Sequence, residues 1–350
     1  MKGVMMITKY AGTLLFAGMA TIQVAGDMAK IDALVVGFED GYPIPNIKVM
    51  ASFDNDNGWN AWTESAPINH DTQITDIHGR CRLSGKTNNG EVGCWVDFKQ
   101  QGYYGSGIGF KLKKKNIFGV WQPDNLVATI KLQRVEHPIP LFVKQFTDVA
   151  SDSVRLDLFA KGNGRLQLDL LKGEWLPPVG NGEYADVVFT RLPREDLGVG
   201  TNARGVKAPS YRDSMSVKFI GDGNGIVEVS CSKDAGIKIR NAPLDGYRQD
   251  YLCWKERMKN LKHSSHYDDC RNFAFRIRTE FDVKGKVKSA HYGKIYGDID
   301  FKKMFGVGVM AVAAPSFLYY LNPTPNDRNL EWDMKNNLCP NPGDIGTPKP

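Results

Sequence analysis

Charge of one sign and long hydrophobic runs are both scarce in this sequence. The formal net charge of its 350 residues is only +6, and residues 27–134 balance their acidic and basic groups to zero. A field this weak does not favour nucleic acid as a partner. The apolar run at residues 306–321 contains Pro315 and falls short of the ~18 residues expected of a membrane-spanning helix. We therefore predict buried strands there and no transmembrane segment in the mature chain.

The motifs of the common enzyme classes are missing as well. The sequence has no H-E-x-x-H, no G-x-S-x-G, no P-loop and no dinucleotide fingerprint after a predicted strand. We expect a protein that is not an enzyme and has no cofactor. The alternative is a carbohydrate-active hydrolase with a pair of catalytic carboxylates in the second domain. The sequence does not favour any one pair among the acids there, which include Glu174, Glu183, Asp186, Glu280 and Asp298.

Glycine and proline, by contrast, are abundant, with 36 and 18 residues. This composition is typical of many short strands joined by turns, and it predicts an all-β fold. A chain of this length suits two domains of about 100–200 residues each. We place the first domain at residues 27–140, ending in the proline-stiffened link at residues 136–140, and the second at residues 141–339. A mobile Pro/Gly tail is expected at residues 340–350.

The N-terminal segment, residues 1–26, has the pattern of a secretory signal peptide. Lys2 and Lys9 precede an apolar stretch, and small residues at 24–26 suit cleavage before Asp27. This pattern predicts a secreted, periplasmic or cell-envelope protein. An uncleaved N-terminal helix is the rival interpretation.

Export would place the cysteines in an oxidising compartment where disulfides persist. Cys81 and Cys94 each lie on the apolar face of a predicted strand. If disulfides form only within domains, these two cysteines pair with each other, and the other four can pair in three ways. The alternative is that some are buried free thiols that behave as small hydrophobic residues. The candidates for disulfides are Cys81, Cys94, Cys231, Cys253, Cys270 and Cys339.

Strand alternation is clearest around residues 74–99. Val92, Cys94 and Val96 fall on one face of a predicted strand, and Trp95 falls on the other. With the strands predicted at residues 33–38 and 47–53, this pattern indicates a β-sandwich in the N-terminal half.

Three short motifs in this half resemble the carboxypeptidase regulatory-like family, a transthyretin-like β-sandwich. They are a Gly-x-Pro turn, a Thr-Asp-x-x-Gly-Arg turn and a Gly-Tyr strand end, formed by Gly41, Pro43, Pro45, Thr75, Asp76, Gly79, Arg80, Gly102 and Tyr103. The resemblance covers residues 31–134 and implies an Ig-like fold without catalytic content. The chain departs from the family pattern at Asn46 and Ile47, and in a long insertion at residues 54–70.

Tryptophans suggest where such a sandwich would bind a ligand. Trp59 and Trp62 lie in the polar insertion, and Trp95 points away from the apolar face of its strand. Flat aromatic rings stack on sugar faces, so these three residues are the candidate ligand-binding residues, with a polysaccharide as the partner. An insertion that only caps one end of the sandwich is the alternative. Trp175 and Trp254 are expected in the core.

The second domain is predicted to be a larger β-sandwich or jelly roll. Alternation predicts strands at residues 154–160, 165–170, 184–190, 216–220 and 272–282, and a hairpin that returns through residues 287–299. One short helix is predicted at residues 251–262, where Leu252, Met258 and Leu261 would share a face. His263, His266 and Cys270 offer ligands for zinc, but their polar surroundings favour a solvated loop, so we expect no metal.

These observations converge on an exported, non-catalytic binding or scaffold protein of the cell envelope or extracellular space. Its partner would be a polysaccharide or another envelope protein. A purely structural envelope component is a further alternative.

Overall fold

A computed structural model describes residues 28–53, 69–87, 89–97, 102–116, 120–123, 126–146, 164–229, 239–268, 271–303, 313–340 and 342. These residues form strands and turns without a helix, which confirms the predicted all-β class. The chain divides into two compact units, the first ending at Val135 and the second beginning at Glu136. The predicted signal peptide, the strand predicted at residues 154–160 and nearly all of the C-terminal tail lie outside the described residues.

The first unit contains short strands that alternate buried and exposed side chains. They are β1 (Met28–Gly37), β2 (Lys48–Phe53), β3 (Asn69–Ile74), β4 (Arg80–Lys86), β5 (Glu91–Val96), β6 (Ser106–Lys111), β7 (Lys114–Lys115), β8 (Trp121–Gln122) and β9 (Leu126–Leu132).

Two sheets enclose the core of this unit. One has the order β4-β1-β9 and the other β3-β2-β5-β6, while β7 and β8 form a separate pair. Strand β1 runs antiparallel to β4 and parallel to β9, so the first and last strands of the unit lie side by side. Alternate residues of β1, β2 and β5 meet in one apolar cluster, which includes Ile31, Ala33, Val35, Val49, Ala51, Phe53, Val92, Cys94 and Val96.

The Thr-Asp-x-x-Gly-Arg turn connects the two sheets. The buried Thr75 hydroxyl accepts a hydrogen bond from the Ile47 amide and donates one to the Ile44 carbonyl, both at 2.9 Å. Asp76 closes the turn by accepting from the Arg80 amide. At Gly79 φ is +68°, and a side chain there would meet the Val35 carbonyl oxygen at 2.6 Å. These residues stabilise the corner.

The second unit is built from longer strands. They are β10 (Ile139–Phe146), β11 (Arg165–Asp169), β12 (Glu174–Trp175), β13 (Val187–Arg191), β14 (Glu195–Thr201), β15 (Lys207–Phe219), β16 (Gly225–Val229), β17 (Asp250–Arg257), β18 (His263–Ser265), β19 (Asn272–Phe281), β20 (Val287–Lys303), β21 (Ala313–Asn322) and β22 (Trp332–Asn337).

These strands form two sheets that share a core, as expected for a larger β-sandwich. A seven-stranded sheet has the order β12-β11-β13-β15-β17-β18, with β14 paired to β15, and a six-stranded sheet has the order β16-β19-β20-β21-β10-β22. Both contribute large apolar side chains to one cluster, among them Phe189 and Val217 from the first and Phe273, Phe275 and Tyr319 from the second.

The helix predicted at residues 251–262 is wrong. Residues 250–257 are strand β17, which pairs with β15 along its whole length. Cys253 is fully buried in the core while its neighbour Leu252 is 51% exposed, so the period is two rather than 3.6. Pairing with a long neighbouring strand overrides the helix propensity of the charged segment. The prediction that Trp254 lies in the core is consequently wrong, because Trp254 shares the outer face of the sheet with Leu252.

Strand β19, predicted at residues 272–282, does not keep one apolar face along its whole length. Phe273, Phe275 and Ile277 are buried, but Phe281 is 42% exposed. The pairing of β19 with β20 shifts between Ile277 and Glu280, and Arg278 has a positive φ of 50°. This β-bulge turns Arg278 rather than an apolar residue into the interior.

Candidate functional site

Of the three tryptophans that the sequence singles out, Trp95 lies among the described residues, whereas Trp59 and Trp62 lie outside them. Trp95 is in β5 and is half-buried. Its neighbours Cys94 and Val96 are buried in the core, so strand alternation places the indole on the outer face of the four-stranded sheet, as predicted.

Cross-strand pairing defines what surrounds the indole. Residues directly opposite one another in antiparallel strands share a face. Two rows therefore cross the sheet on the outer side, Thr72, Met50, Trp95 and Gly107 in one row and His70, Ser52, Gly93 and Gly109 in the next. We call these eight residues the Trp95 face.

Three of the eight residues are glycines, which leaves a floor without side chains beside the ring. A methyl group built on Gly93 would have no atom within 4 Å, and one on Gly109 would have only the Val92 carbonyl oxygen at 4.0 Å. At Gly107, in contrast, it would meet the Trp95 Cβ at 2.9 Å. The Trp95 Cβ therefore lies close to Gly107, while the surface at Gly93 and Gly109 is open.

The polar groups of this face are few and neutral. The His70 ring meets Trp95 edge to face, with ring centroids 6.0 Å apart and an interplanar angle of 82°. Charged residues border the face on both sides: Lys111 and Glu91 form an ion pair at 2.9 Å, and the exposed Lys48 lies two residues before Met50 in β2. An aromatic ring beside a surface without side chains offers a platform on which a flat group could stack.

Sequence reasoning found Trp95 but missed the rest of its face. Strand alternation could have indicated the glycines, because Gly93 is two residues from Trp95 in β5, and Gly107 and Gly109 are two residues apart in β6. His70 and Thr72 had no signal, because the pairing of β3 with β2 follows an insertion of unknown path.

The cysteines do not form the predicted disulfide between Cys81 and Cys94. Both are free thiols in the structure, as are Cys253 and Cys339, while Cys231 and Cys270 lie outside the described residues. Cys81 belongs to β4 and Cys94 to β5, in different sheets, so they are not cross-strand neighbours. Burial raises the pKa of the Cys81 thiol to about 11 and that of Cys94 to about 12, which keeps both protonated and unreactive.

The segment around His266 is not the solvated loop that its polarity predicts. The His266 side chain is only 6% exposed, with Nε2 3.6 Å from Asp298 Oδ1. Its Nδ1 lies 2.8 Å from the Trp254 amide nitrogen and its Nε2 lies 3.0 Å from the Ile299 carbonyl oxygen. The ring thus joins main chain of β17 to main chain of β20. No cluster of three metal-ligating side chains occurs in the described ranges.

Asp298 is the centre of that network. Tyr251 donates to Oδ1 at 2.6 Å and Arg271 to Oδ2 at 2.6 Å. Burial alone would raise the pKa of Asp298, but the bonds from His266 and Tyr251 and the charge of Arg271 lower it below its ordinary value. Its side chain is 0% exposed, so this carboxylate is a structural anchor with no access for a substrate.

The other acids that could serve a hydrolase form ion pairs with nearby basic residues. Asp186 is fully buried and bound by Arg278. Glu174 lies 3.9 Å from Lys144, Glu280 lies 3.6 Å from Lys288, and Glu183 pairs with Lys172. Asp186 does have a carboxylate neighbour, Asp169, but both bind the same guanidinium. The shared guanidinium holds this pair inside the fold, and the side chain of Asp186 has no exposed surface that a substrate could reach.

No family model matches this sequence, and no curated protein matches it. Among solved structures, the minor pilin GBS52 of Streptococcus agalactiae is 19% identical, with 32% of this chain and 47% of that chain covered at a TM-score of 0.20. The shaft pilin SpaA of Lactobacillus rhamnosus GG is 10% identical over 56% of this chain and 90% of that one, at 0.22. A DUF3823 family protein of Parabacteroides merdae is 9% identical over 84% and 96%, at 0.21.

The chain thus spans about half the length of the first of these pilins. Across the residues that the structure describes, no helix has the length and apolar character needed to cross a bilayer.

Proposed function

We propose that this protein is an exported, non-catalytic binding or scaffold protein of the cell envelope or extracellular space, and that its first unit binds a glycan on the Trp95 face. The observation that carries the proposal is the position of Trp95 beside the open glycine floor. Export is supported by the pattern of residues 1–26.

The shape of the face favours a sugar over an apolar ligand. An apolar ligand needs a concave pocket that removes most of its surface from water, and the Trp95 face is an exposed sheet surface. A pyranose ring needs less enclosure, because one of its faces stacks on an aromatic ring while its hydroxyl groups stay hydrated. The Trp95 indole N–H and the His70 ring lie where they can bind those hydroxyl groups.

The charge of the face favours a neutral glycan. Lys111 and Glu91 neutralise one another at its border, and the two rows that cross the sheet carry no lysine, arginine or carboxylate. Lys48 borders the Trp95 row on the other side, so a polyanion would find few cations there.

The non-catalytic part of the proposal rests on the candidate acids. Asp186 and Asp298 are fully enclosed, and each accepts hydrogen bonds from an arginine and from other groups. A general acid or nucleophile must contact the substrate, so neither can serve without rupture of the network around it.

Trp95→Ala tests the glycan site. We expect retention of the protein in native gels that contain neutral polysaccharides, and loss of that retention in Trp95→Ala with partial retention in Trp95→Phe. Trp121→Phe is the matched control, since Trp121 is buried and its indole N–H donates to the Thr87 carbonyl at 2.7 Å. Equal retention of wild type and Trp95→Ala on every polymer would refute the site.

A further inference from the structure

Two histidines contact strand β20 at well separated points. His266 reaches the main chain of Ile299 and lies beside Asp298. His291 belongs to the strand itself and lies opposite Ile277 of β19. Ile277 is fully buried in the core, and directly paired residues share a face, so the His291 ring is on the interior side of the sheet. The seven residues from His291 to Asp298 span about 20 Å at the rise of a strand.

Within the described residues, only one nitrogen of the His291 ring has a hydrogen-bond partner. The ring bonds to the main chain of Asn322 and Pro323, at the end of β21, while Nδ1 is buried without a partner. The bonded nitrogen is therefore Nε2. This arrangement suits the neutral ring, because its proton is then on Nε2 and Nδ1 has no hydrogen to place. A second proton would create a buried N–H that no acceptor meets, which destabilises the fold.

Charge acts on His291 in the same direction. The charged groups that act on the ring are Arg278, from the bulge of β19, and Asp186, just before β13. Asp169 binds the same guanidinium. Asp186 attracts a protonated ring, but burial and the repulsion from Arg278 outweigh it and lower the pKa of His291 below its ordinary value of 6.5. A lowered pKa in the folded state means that this contribution to stability is present above pH 6.5 and decreases as the pH falls below that value.

The surroundings of His266 favour the opposite response. Its Nδ1 lies 2.9 Å from the Trp254 carbonyl oxygen and its Nε2 lies 3.0 Å from that of Ile299, so each N–H of a protonated ring has an acceptor. The Asp298 carboxylate, 3.6 Å from Nε2, supplies a negative charge. Burial lowers the pKa of His266, but these bonds outweigh burial and raise the pKa, so acid should stabilise this contact. The other titratable or charged groups bound to the same carboxylate are Tyr251 and Arg271.

We propose that β20 is an acid-sensitive element whose two ends respond in opposite directions: protonation of His291 destabilises the end next to the β19–β20 hairpin, and protonation of His266 stabilises the end at Asp298. Opposite signs on one strand make the response local, because the loss at one end is not shared by the other. Acid should therefore open one end of the second unit and leave its core folded.

The part that opens includes the turn of the hairpin. Residues 280–288 are all exposed, and the pairing of β19 with β20 is shifted on both sides of Glu280, so few regular ladder contacts hold this end. The segment after β21 should open with it, since Asn326 bonds to the Ala290 amide and to the Lys288 carbonyl. Acid would then change the surface that this end of the second unit presents.

Hydrogen exchange of the full chain, followed by mass spectrometry at pH 5 and pH 8, tests the proposal. After correction for the intrinsic pH dependence of exchange, protection of residues 277–292 should fall at least about tenfold at pH 5, the effect of one buried unpaired donor. His291→Gln, which is neutral at every pH, should abolish this fall. Protection of residues 250–257 should not fall in wild type, whereas His266→Gln should lower it at pH 5. His78→Gln is the matched control, because His78 is an exposed histidine of the first unit.

Equal protection of residues 277–292 at pH 5 and pH 8, or the same fall in His291→Gln as in wild type, would overturn the proposal. A fall that covers both ends of β20 together would overturn it too, because the whole unit then unfolds in acid. Ring NMR of wild type gives a check that does not depend on the stability of a variant. The ring protons of His291 should titrate below pH 6.5 and those of His266 above it, and titration of both rings on the same side of 6.5 would contradict opposite responses.

Discussion

Arg278 and Asp186 form a two-point ion pair inside the second unit, with Nε 3.0 Å from Oδ1 and Nη2 3.1 Å from Oδ2. Arg278 comes from the bulge of β19 in the six-stranded sheet, and Asp186 immediately precedes β13 in the seven-stranded sheet. The same guanidinium donates to Asp169 at 2.7 Å. Burial raises the pKa of the Asp186 carboxyl, so the fold needs this cation to hold the carboxylate ionised.

Arg278→Met should therefore lower the free energy of unfolding by about 3 kcal/mol, since two buried carboxylates lose their cation. Urea unfolding at pH 7 measures the loss. Arg82→Met is the matched control, because Arg82 also binds a carboxylate at two points, that of Asp32, but its side chain is 66% exposed. That variant should lose less than about 1 kcal/mol. Equal losses in the two variants would contradict a structural role for the interior position of Arg278.

His266 predicts a dependence of stability on pH. Burial lowers the pKa of the ring, but hydrogen bonds to Asp298 and to the Trp254 and Ile299 main chain outweigh burial and raise the pKa above its ordinary value of 6.5. A raised pKa in the folded state means that protonation stabilises the fold. The contribution is thus fully present below pH 6.5 and is lost as pH rises through the folded-state pKa.

The measurement is the difference in unfolding free energy between wild type and His266→Gln from pH 5 to pH 9. The advantage of wild type should be largest at the acidic end and shrink toward the alkaline end. Working with the difference removes the trend of the same direction expected from Asp186, whose raised pKa also favours the folded state at low pH. An advantage that grows with pH would be incompatible with a raised pKa of His266.

Substitution of the glycines on the Trp95 face should leave the stability of the fold unchanged at Gly93 but lower it at Gly107. Gly93→Val places its side chain in open space, and we expect unchanged or slightly higher stability because valine favours strands. The branched side chain would nevertheless obstruct the surface beside Trp95 and weaken glycan retention. Gly107→Ala should instead lower stability, since its methyl group meets the Trp95 Cβ and the Cys94 carbonyl oxygen within 3.0 Å.

Thermal unfolding and native gels with polysaccharide separate these two effects. Gly93→Val with wild-type stability and wild-type retention would mean that the ligand does not approach over the floor.

The thiols of Cys81 and Cys94 should react slowly in the folded protein. Because burial raises their pKa to about 11 and about 12, few thiolates exist at pH 8 and iodoacetamide should label them far faster after unfolding. Peptide mass spectrometry over a time course gives both rates. If neither cysteine reacts after unfolding until a reductant is added, the thiols are not free and the disulfide expected from the sequence is reinstated.

The sequence was informative where one strand face is apolar and the other polar. Alternation in β5 predicts both the buried Cys94 and the outward Trp95, because a period of two leaves a single choice of faces. The same rule fails for β17, where Lys255, Glu256 and Arg257 give the segment a high helix propensity that pairing with β15 overrides.

Buried charge is what the sequence could not reveal. Lys294 is in the middle of β20 and has no exposed surface, with its amine 3.2 Å from the Tyr296 hydroxyl and close to the rings of Tyr296 and Tyr320. A lysine in an alternating strand predicts a position that faces solvent. Lys294 is buried instead because the distant segment at Ile239 passes over it, which the sequence does not indicate. The location of Asp186 and Arg278 depends on the β19 bulge in the same way.

The parallel pairing of β1 with β9 gives the first unit a mechanical property. Seven consecutive residues of β1, Ile31 to Gly37, lie beside seven of β9, Leu126 to Leu132, in one register. Since the two strands point the same way, the chain enters the unit at one end of this ladder and leaves it at the other. A tension applied along the chain would load these hydrogen bonds together, in shear, instead of opening them one at a time. Single-molecule stretching should therefore show one high rupture force for this unit, a property suited to a protein that holds a polymer to a surface.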